Sequence, residues 1–350
     1  MWECFFVAFH FFWRYKEVKL TLIGDSPMAN ITTEFCFALD GKGGGEKLDL
    51  EQENVFKRKN IWIHIDYKDQ ENQEWLEEMG LDETVIENLT DEDTSPRYFA
   101  HDDGLLVVMR GVKTHKKDDV DDMIAIHMWI EKNRILTLSH RSMPAVKMVS
   151  SKIKHGEGPT SPIDCFVTLA ETMTDSITKA IDRIDDEVDE IEEAVIKTDG
   201  FKDKHLRGEI SDLRHKIVGL RRYLVPQRNI VKIMKNISHS LLSEDDSVRL
   251  RDVYMDLAKA VEDLDFARDH STVTQEELDS KTNVNLNQTM YMMSFVMVIF
   301  TPLTFITGLL GANIGGIPFA SNQMGFVFIS LIMLVIVIFQ IIVFKKMKWF

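Results

Sequence analysis

A chain of 350 residues with 56 acidic and 41 basic side chains, formal net charge -15, is a poor partner for nucleic acid, because binding a polyanion rests on Lys and Arg neutralising phosphates. It suits the attraction of cations instead. Three cysteines, Cys4, Cys36 and Cys165, are too few and too scattered for a disulfide framework or a zinc finger, which points to a reducing, cytosolic setting for the soluble part.

The first segment, MWECFFVAFHFFWRYK, has an apolar stretch too short to span a bilayer, lacks a basic start and is followed by no small-residue cleavage site. Residues 1–34 are therefore expected to be a disordered N-terminal extension. From 35 to 160 the pattern is mixed. EFCFALD, IWIHIDY, GLLVVMRGV, MIAIHMWI and RILTLSH are short runs rich in β-branched and aromatic residues, while QEWLEEMG and DETVIENLT have helical spacing with acidic first turns. This predicts a small α/β domain. GKGGGE at 41–46 lacks the Lys-Ser/Thr ending of a phosphate-binding loop and reads as a turn.

Residues 161–243 read as a helical hairpin. Ile177, Ile181, Ile184, Val188, Ile191 and Val195 alternate by four and three, and Leu206, Ile210, Leu213, Ile217, Leu220 and Leu224 repeat the pattern after a DGF break. A third seam, Leu250, Val253, Leu257, Ala260, Leu264, Ala267, Ser271, Thr274 and Leu278, opens a stalk helix expected to continue to residue 311, since no Pro or Gly interrupts Ser247 to Thr301. That uninterrupted stretch would be about 80 Å long at roughly 1.5 Å per residue. The seam becomes smaller and more polar toward its end, as a helix lining something wet would.

No Asp, Glu, Lys or Arg occurs from Thr282 to Phe344. Within that stretch, residues 290–310 and 324–344 have the length of bilayer-spanning helices, joined by an external loop at 312–323 and followed by a basic tail at 345–350 with Lys345, Lys346 and Lys348. Because the loop carries no Lys or Arg, the bias of positive charge puts both the tail and the acidic domain in the cytoplasm of an inner-membrane protein. The second span is nearly uniform Ile, Leu, Val and Phe, as expected of a lipid-facing helix. The first carries a stripe, Asn287, Met290, Ser294, Met297, Thr301, Thr304 and Gly308, that is small, hydroxyl-bearing or thioether-bearing and reads as a continuation of the stalk seam. Small and hydroxyl residues also pack membrane helices together. Two spans per chain cannot enclose a pore, so lining would require several copies around an axis.

The end of the first span, Pro302-Leu303-Thr304-Phe305 with Gly308, Gly311 and Asn313, followed by a second span and basic tail, resembles the CorA-type two-transmembrane GxN family of metal ion transporters. Gly311-Ala312-Asn313, where the CorA branch carries Gly-Met-Asn, and the following Gly315-Gly316-Ile317-Pro318 look like the ZntB zinc-transporter branch, as do FALDGKGG and RRYLVPQR. The resemblance implies an α+β fold in a homopentameric funnel, with Gly311, Ala312 and Asn313 at the pore mouth and the stripe from Asn287 to Gly308 lining the pore. It also implies a regulatory cation site for which Asp252, in RDVY, is the candidate.

The expected activity is divalent metal transport, zinc uptake driven with or without protons, with a magnesium or cobalt channel gated by cytoplasmic metal as the alternative. A coiled-coil scaffold or sensor without conduction is the alternative of another class. No cofactor, enzyme activity or dedicated zinc site is expected: His64, His101, His115 and His140 form no HxxxH and pair with no Cys at ligand spacing. The eight acids between Asp182 and Glu193 read either as a cation-attracting surface or as a solvated helix face.

Overall fold

The computed structural model describes residues 33–48, 58–91, 95–101, 104–112, 123–198, 204–235, 242–312 and 323–346. Residues 1–32 of the N-terminal extension, His115, Asn313, Gly315 to Pro318 and Lys348 lie outside them, while Thr33 and Glu34, expected to belong to that extension, open the first strand. Seven strands form one sheet in the order β2-β1-β3-β7-β6-β5-β4: β1 (Thr33–Leu39), β2 (Gly45–Leu48), β3 (Ile61–Ile65), β4 (Arg97–His101), β5 (Gly104–Gly111), β6 (Ile124–Ile130) and β7 (Arg134–Leu138). Only β3 and β7 pair in parallel. Along β5 the residues from Leu105 to Met109 are all at most 3% exposed, so both sheet faces are covered. On one face Leu106 and Val108 join Trp75, Leu76, Val85 and Leu89 in a core cluster. Those four come from helices α1 (Gln70–Glu78) and α2 (Glu83–Thr90), each begun by an aspartate, Asp69 or Asp82, whose side chain accepts a bond from a first-turn backbone N–H.

Five of the strands and both helices fall where hydrophobic patterning places them. The sequence missed β2 and β4, at the two edges of the sheet, because their residues are mostly exposed and show no alternation. Of GKGGGE, residues 41–44 form the turn, in which Asp40 Oδ1 accepts from the backbone N–H groups of Lys42 and Gly44, and Gly45 and Glu46 open β2. Gly43 there has φ +98°, and a Cβ on it would lie 2.7 Å from the Gly156 carbonyl oxygen.

Four further helices complete the chain, α3 (Pro144–His155), α4 (Pro162–Lys197), α5 (Lys204–Met234) and α6 (Glu244–Leu310), before a last one, α7 (Gly325–Lys346). Helix α6 starts at a capping box in which Ser243 Oγ accepts from Asp246 N and Asp246 Oδ2 accepts from Ser243 N, each at 3.1 Å. It then runs 67 residues without a break. The chain divides into two compact units. The first holds the sheet, most of α4 and α5 and the start of α6. The second holds 191–208 and 272–350.

Within the first unit α6 is bolted to its neighbours by charge. Arg249 donates through Nη1 to Asp164 Oδ1 at 2.6 Å and through Nε to Glu171 Oε1 at 2.7 Å, both on α4, and Arg221 on α5 donates to Asp265 at 2.8 Å. Within the second unit, Lys281 Nζ donates to the Val195 and Ile196 carbonyls that end α4, and Arg207 pairs with Asp279 at 2.7 Å.

Candidate membrane pathway

The three helical seams are buried as their spacing predicts, with every residue from Ile177 to Val195 and from Leu206 to Leu224 in those sets at most 8% exposed. The third seam corrects the sequence reading. Ser271 and Thr274 are 2% and 3% exposed, so the polar end of the seam packs inside the chain and lines nothing wet. Small side chains there let α6 approach its neighbours closely, which is an ordinary packing reason for their size.

The stripe on the first span does not continue that seam either. Extended by sevens, the seam positions 250 and 253 lead to 281, 285, 295, 299, 302 and 306, which are half-buried, and to 288, 292 and 309, which are exposed; 282, 303 and 310 are half-buried beside that register. The stripe from Asn287 to Gly308 is in a different register. Extended back by sevens it meets Val248, Asp252, Met255, Lys259 and Phe266 in the first unit and Val273, Ser280 and Asn283 in the second, all exposed. At about 100° per residue, the stripe and the half-buried set point roughly 180° apart on the helix.

Along the apolar part of α6, helix α7 packs beside the half-buried set. Phe295 on α6 and Phe344 on α7 meet with ring centroids 5.2 Å apart, and Gln340 Nε2 on α7 donates to the Val298 carbonyl at 3.0 Å. Among the half-buried residues of α7, Ile329, Met333, Ile336, Gln340 and Val343 recur at heptad spacing, flanked by Ser330 and Val337. The second span is thus lipid-like on one side only, and its other side is the partner of α6. Both helices have an 18-residue window apolar enough to cross a membrane, with mean hydropathy 2.0 and 3.2.

Around the stripe the hydroxyls turn back on the helix: Thr301 Oγ1 donates to the Met297 carbonyl at 2.7 Å and Thr307 Oγ1 to that of Leu303 at 3.0 Å. Their oxygens keep acceptor capacity toward the exposed side. Gly308 has nothing within 4 Å of where a Cβ would stand, so none of the described residues demands a glycine there. Gly311 differs. A Cβ on it would lie 3.0 Å from the Thr307 carbonyl oxygen, which accepts the Gly311 N–H at 2.9 Å to close the helix. Ala312 follows, half-buried.

The other candidates are held singly. His64 is 1% exposed, with Nδ1 2.9 Å from Thr137 Oγ1 and Nε2 3.4 Å from Ser139 Oγ. His101 lies 3.7 Å from Asp82, and His140 Nδ1 lies 3.2 Å from both carboxylate oxygens of Asp66. Among the described residues no group of three metal donors includes any of these histidines. Burial pushes the Cys36 thiol up to about 12 and raises that of Cys165 too, so neither offers a thiolate. Asp252 is exposed beside Arg251, 3.9 Å away. On the acidic run, partial burial and then the charges of Asp263, Asp182, Asp189 and Asp186 raise the Asp185 carboxyl above its ordinary range. Like charge therefore crowds Asp185, while Glu187 and Glu193 of the same run are paired with Lys216 and Lys197.

Sequence reasoning overlooked three residues. Arg249 is an unremarkable basic residue in a charged helix until α4 is laid beside it. His127 is fully buried against Tyr67, and burial brings its pKa down to about 4. Gln340 had a visible signal, a lone amide in an aliphatic span.

A mixed sheet and helix domain, an unbroken helix that enters a membrane-length apolar segment and a second apolar helix packed along it define a two-span membrane protein. The CorA-like Mg2+ transporter protein profile matches residues 57–346, and the chain belongs to that family of divalent-cation transporters. The divalent cation transporter CmaX of Pseudomonas aeruginosa is 31% identical over 321 residues, covering 90% of this chain and 96% of that one. The zinc transport protein ZntB of Yersinia pseudotuberculosis is 28% identical over 316 residues, covering 90% and 95%. The solved structure of full-length CmaX superposes with TM-score 0.77 at 30% identity, over 93% of this chain and 99% of that one. The CorA magnesium transporter of Methanocaldococcus jannaschii shares the fold, with TM-score 0.78 at 21% identity over 91% of this chain and all of the other.

Proposed function

We propose that this chain assembles as a homopentamer that carries zinc into the cytoplasm across the inner membrane, through a central pore lined by Asn287, Met290, Ser294, Met297, Thr301, Thr304 and Gly308. The observation that carries the reading is the exposed register of α6. A face that presents Val248, Met255, Phe266 and Val273 to water in one copy is covered when copies meet around an axis. In the membrane the same register turns hydroxyls, thioethers and a glycine with free space above it toward that axis, while α7 occupies the opposite side. Neutral oxygens exchange hydrogen bonds with a hydrated divalent ion without trapping it, whereas a ring of carboxylates would hold it longer.

Gly311, Ala312 and Asn313 form the external mouth, with an amide and no fixed charge. Lys345 and Lys346 at the end of α7, against a loop without Lys or Arg, favour cytoplasmic termini. Zinc as cargo is supported by the zinc-transporting relatives and by alanine at position 312.

The test is uptake into proteoliposomes with zinc and magnesium in parallel, with and without a pH gradient, beside native mass measurement of the assembly. Zinc flux that exceeds magnesium flux and falls at least about tenfold in Thr301→Leu and Asn313→Ala is the expected result. Flux that rises with an inward proton gradient adds coupling to protons. Magnesium flux without zinc flux favours a channel gated by cytoplasmic metal, a reading to which exposed Asp252 and the crowded carboxylates around Asp185 lend some support. No flux of either ion leaves a scaffold.

A further inference from the structure

Helix α6 carries Pro302 in the middle of its membrane segment. The pyrrolidine nitrogen has no hydrogen, so the carbonyl four residues back, that of Val298, loses the donor that would close its helical bond. In hydrocarbon no water replaces it, and an unmade backbone bond there is costly. The hydroxyl of Thr301, next to the proline, is already committed to the Met297 carbonyl. The missing donor comes from the other helix: Gln340 Nε2 reaches the Val298 oxygen at 3.0 Å.

Gln340 is the one amide between Gly325 and Phe344, among Ile, Leu, Val and Phe. Its own carbonyl oxygen is buried and has no partner among the described residues. An aliphatic residue in its place would leave no half-satisfied amide behind, so general packing does not account for a glutamine. Its N–H does. The Phe295–Phe344 ring contact lies about one turn from it along both helices and keeps the side chain in reach.

We infer that Gln340 is a positioning residue, a side-chain clamp by which the second helix supplies the backbone hydrogen bond that Pro302 removes from the first. The clamp sits beside Thr301 and Thr304. A proline break whose freed carbonyl is tied to a neighbouring helix is held at one setting. The same break untied can flex, and the residues just beyond it lose their alignment. The geometric part of this inference stands by itself, and its effect on flux rests on the transport reading above.

A double-mutant cycle tests it, using full-length protein purified in detergent and reconstituted in liposomes. Gln340→Leu keeps the bulk and removes the donor. Pro302→Ala returns an N–H to the Val298 carbonyl and makes the donor redundant. Gln340→Leu alone is expected to lower the melting midpoint by about 3 °C and to change zinc flux by about threefold or more. In the Pro302→Ala background both effects should vanish, or the melting shift should change sign as the unsatisfied amide oxygen goes. Gln340→Asn, one methylene short, should behave like Gln340→Leu. Equal losses in both backgrounds would overturn the clamp, and so would no loss in the native background. Should the native protein carry no divalent ion, the transport reading fails, and the melting cycle alone decides the clamp.

Discussion

Two faces of the same helix behave in opposite ways. On α6 the positions Leu250, Leu257 and Leu264 are fully buried, while Met255 and Phe266 are 60% and 69% exposed. Both registers keep heptad spacing, but the inner one is apolar and the outer one mixes Val248, Met255, Phe266 and Val273 with Asp252, Lys259, Glu262, Asp269 and Glu276. The first is covered by the chain itself, through helices locked on by Arg249 and Arg221, and the second stays exposed among the described residues. Spacing by sevens therefore says that a helix has a partner but not which partner. One face makes the subunit and the other is free to make the assembly.

The largest way to break this comparison is to damage the inner face. Leu264→Ala should cost about 3 kcal/mol, seen as an earlier urea transition of the detergent-solubilised protein, because the cavity cannot close between packed helices.

Acid acts next on the same unit. The folded pKa of His127 is about 4, below the ordinary 6.5, so the unfolded chain binds the extra proton between those values. Stability should then be complete above about pH 6.5 and decline as the pH falls toward 4, by up to about 3 kcal/mol from this group. His127→Phe should flatten that slope in melts run across the window.

Arg249→Met is expected to cost about 2 kcal/mol, since the ion pairs are only partly shielded from solvent. Burial opposes ionisation of Asp164, but hydrogen bonds from Thr160 and Arg249 outweigh it and hold that carboxyl low. Its contribution is present at neutral pH and lost only as the pH falls below the usual carboxylate range.

The outer face should respond differently. Phe266→Ser should shift subunit stability by less than about 0.5 kcal/mol yet reduce the assembled fraction in light scattering. An unchanged mass there would remove the main support for an interface. Asp252→Asn, the smallest, should leave both unchanged and register only as altered metal dependence of flux.

Much of the fold was legible because it is carried by local periodicity. The seams of α4, α5 and α6 and the two apolar segments follow from spacing and length, and five strands follow from alternation or unbroken β-branched runs. Strands β2 and β4 were not legible. Edge strands need little apolar surface, and only pairing with β1 and β5 reveals them.

Of the candidate pathway, the stripe from Asn287 to Gly308 was visible as a run of small and hydroxyl side chains, but its register was misread. Joining it to the buried seam takes a step of nine residues, from Leu278 to Asn287, which breaks the seven-residue spacing and is countable in the sequence itself. Ser271 and Thr274 looked like wet positions because polarity resembles exposure when no neighbour is in view.

The sequence by itself determined where the helices run, which segments are long and apolar enough to cross a membrane and that Gly311-Ala312-Asn313 lies between them, since these depend on side chains near one another along the chain. Only the tertiary structure decided which face of α6 is spent inside the subunit, that Arg249 joins α4 to α6 and that Gln340 answers Pro302 from 38 residues away. A hydrogen bond or a buried face needs two partners in space, and no spacing within one helix names the second.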